Sequence, residues 1–261
     1  MSRWQWQFNC SLSSAVRNIT GPGFAVLFCT FALSISGSGE DSSGQRLSIR
    51  LAKTVQRQEE VVDQVQSWRR YMLHSSRWKT DGTMDVLVRV DGAGVEQAPE
   101  VIGINAEGLQ KEILRHIVEG EVEASNRKHF VPITLQDYTM VPEGIKLLRG
   151  RPCRDFVITP KRPSRYTIEG RACVDLADAA VAHFEGQTSR SVSFWVGKPR
   201  IEQDFRKVGD YWLCSRNRSA AMVKILGETT LTIEYRDYVV RPKSGSILTA
   251  CASRPCGANL S

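Results

Sequence analysis

The sequence predicts an α+β domain: one antiparallel sheet built from many short strands, with two amphipathic helices covering it. Three observations predict this. Two segments carry apolar residues at helical spacing. After Phe130 the chain becomes a succession of short β-type runs. Tight turn clusters separate those runs, which favours hairpins over parallel crossovers. With 261 residues and 41 % hydrophobic content the chain can bury a real core. A net charge of +7 is mildly basic and demands no nucleic-acid partner.

Residues 1–36 hold two cations, Arg3 and Arg17, and no acids. They end in the apolar stretch Phe24–Ser36, too short to span a bilayer, followed by small residues. This layout is that of a secretory signal peptide, and it predicts export to the periplasm or beyond. Phe28 before Cys29 argues against a lipid anchor there. Residues 37–47 read as a Gly/Ser-rich linker, 48–240 as a single domain, and 241–261 as a flexible basic tail.

Leu51, Val55, Val62 and Val65 predict a helix from Ser48 to Ser67. Strands are expected at Trp68–Trp78, Met84–Val90 and Val95–Ile104, separated by the turn signals Lys79-Thr-Asp-Gly82 and Asp91-Gly-Ala-Gly94. Leu109, Ile113, Ile117, Val118 and Val122 predict a second helix over 109–126. The runs that follow are Ile133–Met140, Gly144–Leu148, Cys153–Thr159, Tyr166–Asp175, Ala180–Glu185, Ser191–Val196, Arg200–Val208, Tyr211–Arg216, Ala220–Leu226 and Thr229–Val240.

One hairpin can be read in register. About a turn centred on Pro163, Cys153 falls opposite Cys173, Asp155 opposite Arg171, and Ile158 opposite Ile168. In an oxidising compartment Cys153 and Cys173 are therefore candidates for a disulfide. Cys251 and Cys256 are candidates for a local bridge in the tail, which leaves Cys214 free. No C-x-x-C and no histidine at ligand spacing is present, which disfavours zinc, and no cofactor is implied.

No G-x-S-x-G, H-E-x-x-H, P-loop or G-x-G-x-x-G occurs, so no catalytic residue is assigned. Glu112 and His116 stand four apart, a spacing better explained by a surface helix pair than by acid–base work. Arg149, Arg151, Arg154, Lys161, Arg162 and Arg165 form the densest basic cluster. Its functional reading is a peripheral contact with phosphate head groups or an anionic cell-wall polymer; its plain reading is a solvated hairpin that protects an edge.

Five stretches in this order carry a family resemblance: Gly170-Arg-Ala-Cys-Val-Asp-Leu-Ala-Asp178, His183-Phe-Glu-Gly186, Ser193-Phe-Trp195, Asp210-Tyr-Trp-Leu213, and Leu231-Thr-Ile-Glu-Tyr-Arg-Asp-Tyr238. The chain resembles secreted bacterial proteins allied to the outer-membrane lipoprotein carrier (LolA-like) superfamily. Cys214 stands where a proline is usual in the W-x-P strand. The resemblance implies a strongly curved antiparallel sheet, an incomplete β-barrel, whose concave face is covered by the two helices. It implies a non-enzymatic carrier of lipid or lipoprotein acyl chains, with an envelope protein as a further partner. The alternative on the same scaffold is a periplasmic sensor or regulatory domain that binds a protein. The apolar positions expected to line the concave face are Phe156, Ile158, Ile168, Val192, Phe194, Val223, Ile225, Leu231 and Ile233.

Overall fold

The computed structural model describes residues 42–78, 81–91, 96–97, 99–125, 133, 135–191, 196–224, 226–244 and 248–250. The candidate signal peptide, Cys251 and Cys256 lie outside them. Helix α1 (Ser42–Val61) runs into β1 (Val62–Ser75), followed by β2 (Gly82–Asp91), β3 (Glu100–Asn105) and helix α2 (Gly108–Ser125). Then come β4 (Tyr138–Leu148), β5 (Arg151–Pro160), β6 (Ile168–Asp175), β7 (Val181–Thr188), β8 (Arg200–Val208), β9 (Tyr211–Val223), β10 (Gly227–Pro242) and β11 (Leu248–Ala250).

The strands form one antiparallel sheet in the order β3-β2-β1-β10-β9-β8-β7-β6-β5-β4, with β11 added to β10. β3 and β4 end this path and do not pair with each other, so the sheet is an incomplete barrel. Pairing β1 with β10 joins the first strand to the last long one, Tyr71 facing Ile233 and Leu73 facing Leu231. Both helices lie on one face. α1 packs Gly44 against Pro142, where a Cβ would come within 2.5 Å of the proline ring. Farther along α1, Arg50 donates to the carbonyls of Leu176 and Ala177 at 3.2 and 2.9 Å. Gln58 accepts the backbone N–H of Trp212 at 3.2 Å.

Several expectations need correction. The helix starts at Ser42, inside the stretch read as a linker, and stops at Val61. Val62 and Val65 fit a helix stripe, yet both are buried on β1, where the strand alternation of Val65, Ser67, Arg69, Tyr71 and Leu73 wins. Val141-Pro-Glu-Gly144 is no turn but a bulge within β4, an edge strand that tolerates Pro142. The two runs expected at 211–216 and 220–226 are one strand, β9. Leu248–Ala250 of the expected tail pairs with β10.

The β5–β6 register also differs. Asp155, not Cys153, faces Cys173, and Ile158 faces Gly170, a shift of two residues from the expected pairing. Two residues is one full strand period, so every side chain keeps its expected face. Cys153 and Cys173 are joined diagonally by a disulfide with Cα atoms 5.6 Å apart. Cys214 is disulfide-bonded as well, which overturns its expected free state.

Candidate functional site

The apolar core occupies the helix-bearing face. Phe156 and Ile158 of β5 and Leu231 and Ile233 of β10 lie in it, between 0 and 8 % exposed. Ile168 is half-buried and packs against the same core. Val223 is half-buried at the end of β9 and bridges to Val196. Val192, Phe194 and Ile225 lie outside the described residues. The alternation read from the sequence thus gathers these side chains on one face but in two regions: β7, β8 and β9 separate β6 from β10. Leu47 and Leu51 of α1, and Leu114 and Val118 of α2, close over that face.

A charged cluster sits inside this apolar layer, and the sequence reading missed it. Arg69 of β1 reaches Glu96 at 2.7 Å and Glu121 of α2 at 2.8 Å through the same Nη1. Tyr71 donates its hydroxyl to Glu121 Oε2 at 2.5 Å, and the Arg69 guanidinium lies 5.2 Å from the centroid of the Tyr235 ring. All are buried. One cation facing two carboxylates in a dry layer is an unbalanced set, because burial disfavours every uncompensated charge. Burial pushes the Glu121 carboxyl up to about 7; Arg69 opposes the rise and Glu96 reinforces it. The Tyr71 and Tyr235 hydroxyls are likewise pushed well above their ordinary range by burial. Among the described residues, Arg69 Nε, Glu121 Oε1 and Tyr235 Oη meet no hydrogen-bond partner. The signal was available: Arg69 falls on the buried parity of β1, and Glu121 continues the Leu114, Val118 stripe of α2.

The other face is polar. Toward the rim where β6 and β8 begin and β7 and β9 end lies an open groove of about 880 Å³. Glu169, Glu185 and Glu202 line it together with Arg171, Arg200 and Arg218, so it carries both signs of charge. Gly170 and Gly186 face each other in its floor.

Farther along β7 and β8, ligand atoms of His183, Glu202 and Asp204 lie within 4.8 Å of one another. That spacing could hold a cation, but Arg149 already contacts Asp204 at 2.6 Å and His183 bonds the same oxygen at 2.9 Å. These two neighbours hold the Asp204 carboxyl below its ordinary range, His183 foremost. A bound metal would have to displace a guanidinium, so the cluster reads as a structural ion network.

Among the described residues, three of the six cations of the basic cluster meet acids, Arg149 through the Asp204 contact already given. Arg151 pairs with Asp175 at 2.7 Å and Asp178 at 2.8 Å, and Arg162 with Asp137 at 3.2 Å. Glu112 and His116 do not pair: Glu112 meets Arg115, and His116 meets Glu119, all on the exposed side of α2.

No family model matches the chain, and no curated protein matches it. Among solved structures it is similar to a DUF1329 family protein from Desulfovibrio piger, at 11 % identity and TM-score 0.43, covering 78 % of this chain and 95 % of that one. It is similar to a putative outer membrane lipoprotein-sorting protein domain from Vibrio parahaemolyticus, at 9 % identity and TM-score 0.42, covering 78 % and 93 %. A LolA superfamily protein from Nitrosomonas europaea follows at 10 % identity and TM-score 0.36, covering 76 % and 93 %. With TM-scores under 0.5, these likenesses carry no argument about ligand or activity.

Proposed function

We propose that this chain is an exported, non-enzymatic binding protein that takes the acyl chain of a lipid or lipoprotein between its sheet and its helices. The observation that carries the reading is the nature of the cover. The apolar face of an unclosed sheet is capped by two separate helices, and α2 rests on it partly through a buried polar contact, Arg69 to Glu121. A cover held in this way can lift without dismantling the sheet. An acyl chain that replaced it would gain about 0.8 kcal/mol per buried CH₂. Phe156, Ile158, Ile168, Leu231 and Ile233 would line the space, with Val223 at its β9 end.

The test is uptake of a fluorescent fatty acid or phospholipid by delipidated protein. Saturable binding that Ile233→Asp abolishes and Ile233→Leu retains supports the reading. No uptake by the folded wild-type protein overturns it.

A second reading, a sensor or regulatory domain, rests on the rim groove. Its mixed charges suit a polypeptide segment better than a lipid. Charge reversal at Arg200 and Arg218 would weaken capture of an envelope protein while leaving lipid uptake unchanged.

A further inference from the structure

We propose that Arg69, Glu96 and Glu121 form a proton-operated latch: α2 rests on the sheet with Glu121 neutral and lifts more readily when Glu121 is charged. The inference goes beyond the ligand reading and stands whichever ligand the protein takes, because it follows from charge and burial alone.

The geometry supplies the device. Glu121 is the residue through which α2 enters the ionic cluster, and it is 2 % exposed. With both carboxyls charged, a single guanidinium faces two anions, both contacting its Nη1. With Glu121 protonated the set is balanced, one cation to one anion.

Among the described residues, Arg69 is the one cation ion-paired to Glu121, and the groups facing the cluster are mostly neutral. From β1 the facing groups are Arg69 and Tyr71, and from the segment before β3 comes Glu96. From β10, Tyr235 feels both Glu121 and Arg69, while Tyr238 feels Arg69 and also Arg206 of β8, whose guanidinium lies over the Tyr238 ring at 5.8 Å. β2 turns Met84, Val86, Val88 and Val90 to the buried side, all apolar. On α2 itself, His116 and Glu119 pair with each other at the exposed surface.

The raised Glu121 carboxyl points the same way. A carboxyl raised on docking stabilises the docked state fully below its undocked value, and that stabilisation is lost as pH rises toward 7. α2 is therefore held hardest in mild acid and most weakly above neutrality.

Hydrogen exchange of the full chain, corrected for the intrinsic rate at each pH, reads the latch directly. Protection factors of α2 amides should fall at least about tenfold between pH 5.5 and 8.5, the equivalent of one pKa unit of linkage. Those of β6 to β9 should stay level. Glu121→Gln should remove the pH dependence of α2. Level protection of wild-type α2 across this range, or a fall that persists in Glu121→Gln, overturns the proposal. Should Glu121→Gln not fold, a carboxyl ¹³C titration of the native protein decides: a Glu121 midpoint at or above pH 6 supports the latch, and a lower one overturns it.

Discussion

Cys153 and Cys173 are bridged although they are not opposite one another: Cys153 faces Asp175 across the β5–β6 ladder, and Cys173 faces Asp155. The bridge runs diagonally, with Cα atoms 5.6 Å apart, inside the range a disulfide requires. It sits beside the pair Arg151–Asp175, so a covalent and an ionic tie fasten β5 to β6 at the same end. Beyond them, α1 docks on the turn that follows β6.

The disulfide should be worth about 3 kcal/mol, from the loop entropy of a 20-residue separation. Cys153→Ala together with Cys173→Ala should lower the unfolding free energy by that amount, with a steeper denaturant slope because the unfolded chain loses its crosslink. A variant as stable as the oxidised wild type would contradict this.

Asp175 should be a second keystone. Its side chain is 1 % exposed, accepts two bonds from Arg151, and also takes the backbone N–H groups of Ala177 and Asp178. These bonds outweigh burial and hold its carboxyl below the ordinary range. A lowered carboxyl stabilises the fold above its unfolded value and stops doing so as pH falls through its folded value. Asp175→Asn should cost about 2 kcal/mol at pH 7. The gap to wild type should close below about pH 3.8, which is read from urea unfolding at several pH values.

Strand alternation made most of the sheet legible. Phe156 and Ile158, or Leu231 and Ile233, needed only a period of two to be placed on the buried face. The start of β1 was not legible, because Val62 and Val65 satisfy both a helical and a strand pattern over so short a window. The hairpin register failed for a different reason: shifts by two preserve every face, and an apparent Asp155–Arg171 charge pair could not discriminate between them. The ionic cluster escaped because charged residues are expected at the surface, whereas burial of Arg69 is decided by its strand parity and by a partner 52 residues away.

Gly186 should tolerate no side chain. A Cβ there would approach the carbonyl oxygen of Glu169 to 2.1 Å, and that oxygen belongs to the β6 backbone, which cannot swing aside. Gly170, opposite it, meets the carbonyl of Glu185 in the same way at 2.2 Å. Gly186→Ala should therefore force β6 and β7 apart and cost about 1–3 kcal/mol, beyond the small change expected at an open glycine such as Gly103. Equal thermal midpoints for Gly186→Ala and Gly103→Ala would refute the close approach.

Arg69 is where a single change should do most harm. Removing one partner of a buried ion pair leaves its counter-charge stranded, typically at about 3–5 kcal/mol. Arg69→Met takes the counter-charge away from two carboxyls, Glu96 and Glu121, within a layer of apolar side chains. The protein can relieve this only by taking up protons, so the loss should grow steeply as pH rises from 5 to 8, in the same direction as the wild-type trend but larger. Adding Glu121→Gln removes one of these two charges and keeps the volume, so the double variant should recover a large share of the stability and flatten the pH profile. Urea unfolding of the four forms at pH 5 and pH 8 completes a double-mutant cycle. A coupling energy near zero at pH 8 would mean that Arg69 and Glu121 do not sense each other, and that apolar packing alone holds α2 in place.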